Sequence, residues 1–311
     1  MTGANTAAKS VTELKQDHVA VLGCGVIGLS WAMALLSKGY SVRVWDPDPE
    51  IENKLEPLRL QFPRSSLSIH DSPEQAVTGA RFVQESGPES LDIKKALYTH
   101  MASVIGPDCI VASSTSTLPP SQLQKGSAFA DRIVIGHPFN PPHLLPLVEV
   151  VGGSQTSSQT IERAMAFYRS IGKQPIHLRT ERPGHLANRL QAAVWREAID
   201  AVASGQCTVA DVDIAMTTAL GPRWAVMGPF KTFQLGGGVS GLEHFFEHLG
   251  DAFEVLWDDA KRPQVTDKLK QQLITEAQQL TAGRSYSELT GERDKQLQAV
   301  LNARLPEDKT Q

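Results

Sequence analysis

The run His18-Val-Ala-Val-Leu22 passes directly into Gly23-Cys24-Gly25-Val26-Ile27-Gly28, and apolar residues at helical spacing follow at Trp31, Met33, Ala34, Leu35 and Leu36. Few junctions constrain a chain more tightly. A β-rich run that turns at once into a helix through three spaced glycines has the geometry of a dinucleotide fingerprint. Gly23 permits the tight turn, Gly25 lets the backbone approach a pyrophosphate, and Gly28 allows the helix to pack closely on the sheet. The helix start at Val26 and Ile27 would aim its free amides at the phosphates. Gly39 is a left-handed helix stop, and a second run, Ser41-Val-Arg-Val-Trp45, ends at Asp46. A carboxylate there can accept hydrogen bonds from the adenosine ribose. It would repel a 2′-phosphate, and Pro47 stands where a compensating arginine would be needed, so the cofactor expected is NAD.

Further strands are expected at 67–69, 81–84, 109–112, 133–136, 147–151 and 175–178, with helices at 91–104 and 158–171 between them. Such alternation gives a mainly parallel sheet with helices on both faces. From about Arg182 the strand signals stop. Helical spacing continues over 186–204, 241–257 and 266–282, and Thr208-Val-Ala-Asp211 resembles a capping box. The fold class expected is α/β: an N-terminal Rossmann-type, doubly wound, mainly parallel sheet, then a smaller all-α domain. The division falls at 1–181, with 1–14 flexible, and 182–311, the latter closing the substrate cleft and supplying a dimer surface.

The 311 residues suffice for two cores, and a net charge of −4 offers no basic footprint for nucleic acid. No apolar run approaches the roughly 20 residues that span a bilayer. The three cysteines, Cys24, Cys109 and Cys207, lack metal-ligand spacing, which fits a reduced compartment and a cytoplasmic protein. His143, His177, His185, His244 and His248 read as surface or packing residues, and no metal is expected.

The chemistry concentrates in Gly136-His137-Pro138-Phe139-Asn140-Pro141-Pro142 and in Glu149, twelve positions on from the histidine. A histidine ending one apolar run can meet a carboxylate inside the next. Such a pair is a general base whose ring is oriented, and whose positive charge is stabilised, by the acid. Beside a dinucleotide site its task would be to take a hydroxyl proton while hydride leaves the neighbouring carbon. Ser113-Ser-Thr-Ser116 also follows an expected strand, where ligands of such sheets collect.

With the fingerprint, the Ser-Thr-Ser run, His-Pro-Phe-Asn-Pro-Pro and Asn188-Arg189 in that order, the chain resembles the L-3-hydroxyacyl-CoA dehydrogenase family over about 19–249. It is most similar to the short members that act on free acids, the L-gulonate 3-dehydrogenase (lambda-crystallin) and L-carnitine dehydrogenase types. The resemblance implies His137 and Glu149 as the catalytic dyad, with Ser116 and Asn188 contacting substrate oxygen and cofactor. It places Glu89 and Lys94 at the nicotinamide end, and implies NAD, an L hydroxyl and a homodimer. The segment between the second and third strands is short for the helical hairpin that contacts CoA, and Pro57 and Pro63 should break up a long helix there. Only Lys54 supplies a lysine. Arg223, in Gly221-Pro-Arg-Trp, can hold a carboxylate by two parallel hydrogen bonds, which a thioester would not need. Asparagine also caps helices, and an arginine also makes interdomain salt bridges, so Asn188 and Arg223 have structural uses too. The expected activity is NAD-dependent oxidation of a small carnitine- or gulonate-like 3-hydroxy acid. An acyl-CoA dehydrogenase and a non-catalytic, crystallin-like NAD-binding protein are the alternatives.

Overall fold

The computed structural model describes residues 18–304. The segment 1–14, expected to be flexible, lies outside them. The described chain forms two compact units that divide between Arg189 and Leu190.

The first unit is built on a sheet of eight strands among the described residues. These are β1 (His18–Leu22), β2 (Ser41–Trp45), β3 (Leu67–Ile69), β4 (Phe82–Glu85), β5 (Ile110–Ser113), β6 (Ile133–Pro138), β7 (Leu147–Gly152) and β8 (Gln174–Leu178). Their spatial order is β3-β2-β1-β4-β5-β6-β7-β8. The first six are parallel, β7 runs antiparallel to β6, and β8 is parallel to β7. The order reverses between β1 and β4, so the crevice beyond their carboxyl ends is where such a sheet binds its ligand.

Helices cover both faces: α1 (Val26–Ser37), α2 (Ile51–Gln61), α3 (Pro73–Val77), α4 (Leu91–Met101), α5 (Pro120–Gln124) and α6 (Ser158–Ser170). Alternate residues of β1 feed different cores. Val19 and Val21 pack with Trp31 and Tyr168, whereas Ala20 and Leu22 pack with Tyr98 and Phe129. Burial on both faces explains why the strands read as unbroken apolar runs rather than alternating ones. Between β2 and β3 the chain forms only α2. Its stripe Ile51, Leu55 and Leu58 is buried, and Pro57, expected to break up a long helix, sits inside this short one of 11 residues. Pro57 and Asn53 are both exposed, so water can serve the Asn53 carbonyl that a proline cannot.

The second unit is helical. The chain enters it along α7 (Ala187–Ala203), followed by α8 (Val209–Ala215), α9 (Gly221–Val226), α10 (Pro229–Gly236), α11 (Gly241–Asp259), α12 (Asp267–Leu280) and α13 (Tyr286–Arg304). The Thr208–Asp211 capping box forms as expected. Phe233, Phe245 and Phe253 make an aromatic cluster with ring centroids 4.7–5.4 Å apart. No described helix is long and apolar enough to cross a membrane.

Candidate active site

The fingerprint turn closes as its glycines require. Gly23 has φ +86°, and a Cβ on Gly28 would lie 1.8 Å from the Gly23 carbonyl oxygen, so no side chain fits there. Around Gly25 the space is open, with nothing within 4 Å of a built Cβ. Helix α1 has no side-chain cap, which leaves the amides at Val26 and Ile27 facing a possible anion. Asp46 organises the turn from the end of β2, accepting hydrogen bonds from the Cys24 and Asp48 amides. A cavity of about 870 Å³ opens beside it, lined by Gly23, Gly25, Asp46, Ser86, Gly87 and Leu97 among others. Open space at Gly25, free helix amides and a carboxylate at the rim of this cavity fit a dinucleotide.

A buried ion pair supports the cavity floor. Lys94, 1% exposed, donates to Glu85 at 2.7 Å and to the Gly87 carbonyl at 3.2 Å. Ser113 donates to the other Glu85 oxygen at 2.6 Å. Lys94 therefore lines the cavity with its ammonium committed to Glu85 and to the loop after β4. Glu89 gathers the turn after β5. One of its oxygens accepts from the Thr115 and Thr117 hydroxyls at 2.6 and 2.7 Å and from the Ser116 and Thr117 amides at 3.0 and 2.8 Å. Burial would raise the Glu89 carboxyl, but these hydrogen bonds and nearby Lys94 hold it below the usual carboxylate range. The Ser116 hydroxyl lies 3.5 Å from the same oxygen, a weak contact that leaves it available to a ligand.

The dyad comes from strand pairing. His137 lies within β6 rather than after it, and the antiparallel register sets it directly opposite Glu149 of β7. Its Nδ1 is 2.8 Å from Glu149 Oε2, with His137 5% exposed and Glu149 fully buried. An ionised carboxylate only accepts, so Nδ1 carries the proton and Nε2 keeps its lone pair. Glu149 Oε1 accepts the Leu186 and Ala187 amides at 2.9 and 2.8 Å, at the start of α7. Burial would raise the Glu149 carboxyl, but the bonds from His137 and from these two amides hold it below its ordinary value. One carboxylate thus orients the imidazole and caps the helix that carries Asn188.

Asn188 lies half-buried in the first turn of α7, where Glu149 already caps the amides. Arg223 belongs to the second unit. It is exposed on α9 and donates to the Ala219 carbonyl at 3.3 Å. Lys54 is ion-paired with Asp48. Trp195, Trp224 and Phe230 are exposed.

Sequence reasoning did not single out Glu85 or give His185 a site role, and it took Thr115 only as part of the Ser113–Ser116 run. Glu85 carried a usable signal, a second polar residue ending an otherwise apolar strand. His185 gave none. Read as a surface or packing residue, it is 5% exposed, and its ring centroid lies 5.1 Å from that of His137.

Comparisons with known proteins identify the family. The 3-hydroxyacyl-CoA dehydrogenase NAD binding domain matches residues 18–181, and the C-terminal domain of the same family matches 184–276. The L-carnitine dehydrogenase of Streptomyces coelicolor is 42% identical over 299 residues, covering 92% of this chain and 94% of its own. That of Pseudomonas putida is 40% identical over 306 residues, covering 94% and 95%. Among solved structures, an NAD+-dependent 5-formyl-3-hydroxy-2-methylpyridine 4-carboxylic acid 5-dehydrogenase superposes with a TM-score of 0.78. It is 28% identical, covering 92% of this chain and 97% of that one. The chain belongs to the 3-hydroxyacyl-CoA dehydrogenase family and is an NAD-dependent dehydrogenase.

Proposed function

We propose that the protein oxidises the 3-hydroxyl of a small free L-3-hydroxy acid to the 3-keto acid, with L-carnitine the favoured substrate and a gulonate-like acid the next. The observation that carries the reading is the buried His137–Glu149 pair at 2.8 Å, in a chain 42% identical to an L-carnitine dehydrogenase. NAD, when bound, supplies the hydride acceptor. His137 Nε2 takes the hydroxyl proton, and the Glu149 carboxylate holds the useful tautomer and stabilises the imidazolium. Ser116 and Asn188 hydrogen-bond the oxygen whose charge changes. Glu89 and Lys94 shape the nicotinamide end, Lys94 through Glu85. Arg223 is our candidate for the substrate carboxylate.

The short α2 and the engagement of Lys54 by Asp48 leave little to hold a CoA diphosphate and favour a free acid. Exposed apolar residues on the second unit, Trp195 at 61%, Phe230 at 79% and Trp257 at 65%, favour a homodimer. Three free cysteines favour the reducing cytoplasm.

The test is NADH appearance with L-carnitine, L-gulonate, L-3-hydroxybutyrate and L-3-hydroxybutyryl-CoA. Carnitine should give the largest kcat/KM. Faster turnover of the thioester overturns the free-acid reading, and no turnover of any compound with NAD still bound overturns the enzymatic one.

A further inference from the structure

His185 combines two features that rarely coincide. It has φ +50°, the only non-glycine residue with positive φ among those described. Among the described residues, its Nδ1 is one of two buried side-chain polar atoms without a hydrogen-bond partner. Left-handed backbone outside glycine marks positions that the surroundings over-determine, and such positions gather at ligand sites. The surroundings here are explicit. The residues immediately after His185 give their amides to Glu149, and its own Nε2 lies 3.1 Å from the Thr115 carbonyl.

A carbonyl can only accept, so Nε2 carries the proton and Nδ1 presents a bare lone pair. Burial keeps the ring neutral by lowering its pKa. The Thr115 bond and the Glu149 and Glu89 charges oppose that effect, while nearby His137 adds to it. An unpartnered buried acceptor is costly to a folded chain, and its natural completion is a donor brought by a ligand.

The donor can be named by elimination. This step rests on the reading of His137 as the base, because hydroxyl proton and hydride leave one C–O unit and the nicotinamide must lie beside His137. The His185 ring is 5.1 Å from His137 and is tied to the turn that Glu89 gathers. A free acid such as carnitine brings one hydroxyl proton, and His137 takes it. Asn188 and Ser116 are engaged with the reacting oxygen on the same reading, so the remaining N–H donors that a bound molecule brings to the reacting end belong to the nicotinamide carboxamide. We infer that His185 is a cofactor-binding residue whose Nδ1 accepts a hydrogen bond from that carboxamide, fixing its rotation and hence the ring face offered to the substrate. The Nε2 bond to Thr115 couples this contact to the Glu89-held turn.

The test compares equilibrium dissociation constants of NAD and of 3-acetylpyridine adenine dinucleotide, which keeps the carbonyl but has no N–H. His185→Gln preserves a donor where Nε2 stands and removes the acceptor. His185→Asn places an oxygen near Nδ1 and tolerates positive φ. The preference for NAD over the analogue should fall about tenfold in the Gln variant, the worth of one ordinary hydrogen bond, and persist in the Asn variant. In the wild type, the ¹⁵N signal of His185 Nδ1 should move on adding NAD and stay put with the analogue, a readout that survives if a variant fails to fold. An unchanged preference in His185→Gln, or equal Nδ1 responses to both dinucleotides, overturns the assignment and leaves a water as the partner. No substrate enters these measurements, so failure of every hydroxy acid in the turnover panel would refute the proposed function and leave these dissociation constants and Nδ1 shifts to be read by themselves.

Discussion

Glu149→Gln should expose how much of this site depends on a charge rather than on a shape. The substitution preserves volume at a fully buried position and disturbs three hydrogen bonds, of 2.8, 2.9 and 2.8 Å. A bond to a charged acceptor nets about 1.5–3 kcal/mol and a neutral one about 0.5–1.5. The amide oxygen can keep the two α7 amides at the neutral value. The amide nitrogen then faces His137 Nδ1, donor against donor. The ring escapes by moving its proton to Nε2, which removes the lone pair aimed at the substrate. We expect a stability loss of about 3–4.5 kcal/mol, an increment of about 1–1.5 for each of the three weakened bonds, and a kcat loss of about 10²–10⁴, the range general base catalysis spans.

The pH dependence separates charge from packing. The folded Glu149 pKa lies below its ordinary 4.5, so the folded state binds fewer protons than the unfolded one around and below that pH. The stability it contributes is fully present above 4.5 and is lost as pH falls through the folded value. Urea unfolding of wild type and Glu149→Gln at pH 7 and over pH 3–5 reads this directly. The gap should be widest at neutral pH and close in acid. A gap independent of pH, or none at pH 7, would show that the carboxylate charge is not what holds β6, β7 and the start of α7 together.

His137→Gln should lower kcat about 10²–10⁴-fold while the NAD dissociation constant, followed by fluorescence titration, changes far less, because the imidazole acts on the substrate hydroxyl and the fingerprint turn holds the dinucleotide. Near-normal turnover removes His137 from the mechanism. Gly28→Ala puts a Cβ 1.8 Å from the Gly23 carbonyl, so the turn must open. NAD affinity measured the same way should drop about 100-fold or more, as a severe steric change of several kcal/mol requires, and wild-type affinity would refute the tight-turn account. Lys173 is buried, donates to the Pro142 and Leu145 carbonyls behind the His-Pro-Phe-Asn-Pro-Pro segment, and is pushed down to about 8 by burial and by Lys38. Between pH 8 and 10.5 the unfolded chain then holds more protons at this group, so its contribution to stability rises with pH across that window. Lys173→Met should abolish that rise in thermal melts, and an identical slope in both proteins would refute it.

What the sequence reveals here follows from the range of the forces involved. The β1–α1 junction was legible because a tight turn, a phosphate approach and a close packing each need a glycine at a fixed spacing, all within eleven residues. Strands buried on both faces announce themselves as apolar runs, and ladder pairing then moves their ends by only a residue or two. α2 stays short, ending at Gln61, but it runs through Pro57 because a proline penalty depends on whether water can reach the carbonyl it strands, and exposure is a tertiary property.

The dyad was legible as a pair of residue types but not as a geometry. No residue type in either run says that β7 reverses direction; the length of the connection does, and only the reversal makes His137 and Glu149 direct cross-strand partners. With β7 parallel, its entry from a short connection would be impossible, since parallel neighbours need a crossover of a dozen or more residues. The eight residues between Pro138 and Leu147 therefore required antiparallel pairing. Register then follows from burial. A slip of one residue would turn Glu149 to the opposite face of the sheet, stranding a carboxylate among Val134, Val148 and Val150, which share one apolar core. That penalty makes the His137–Glu149 geometry a consequence of the fold's own stability, and it is why Glu149 can serve the imidazole and the helix amides at once.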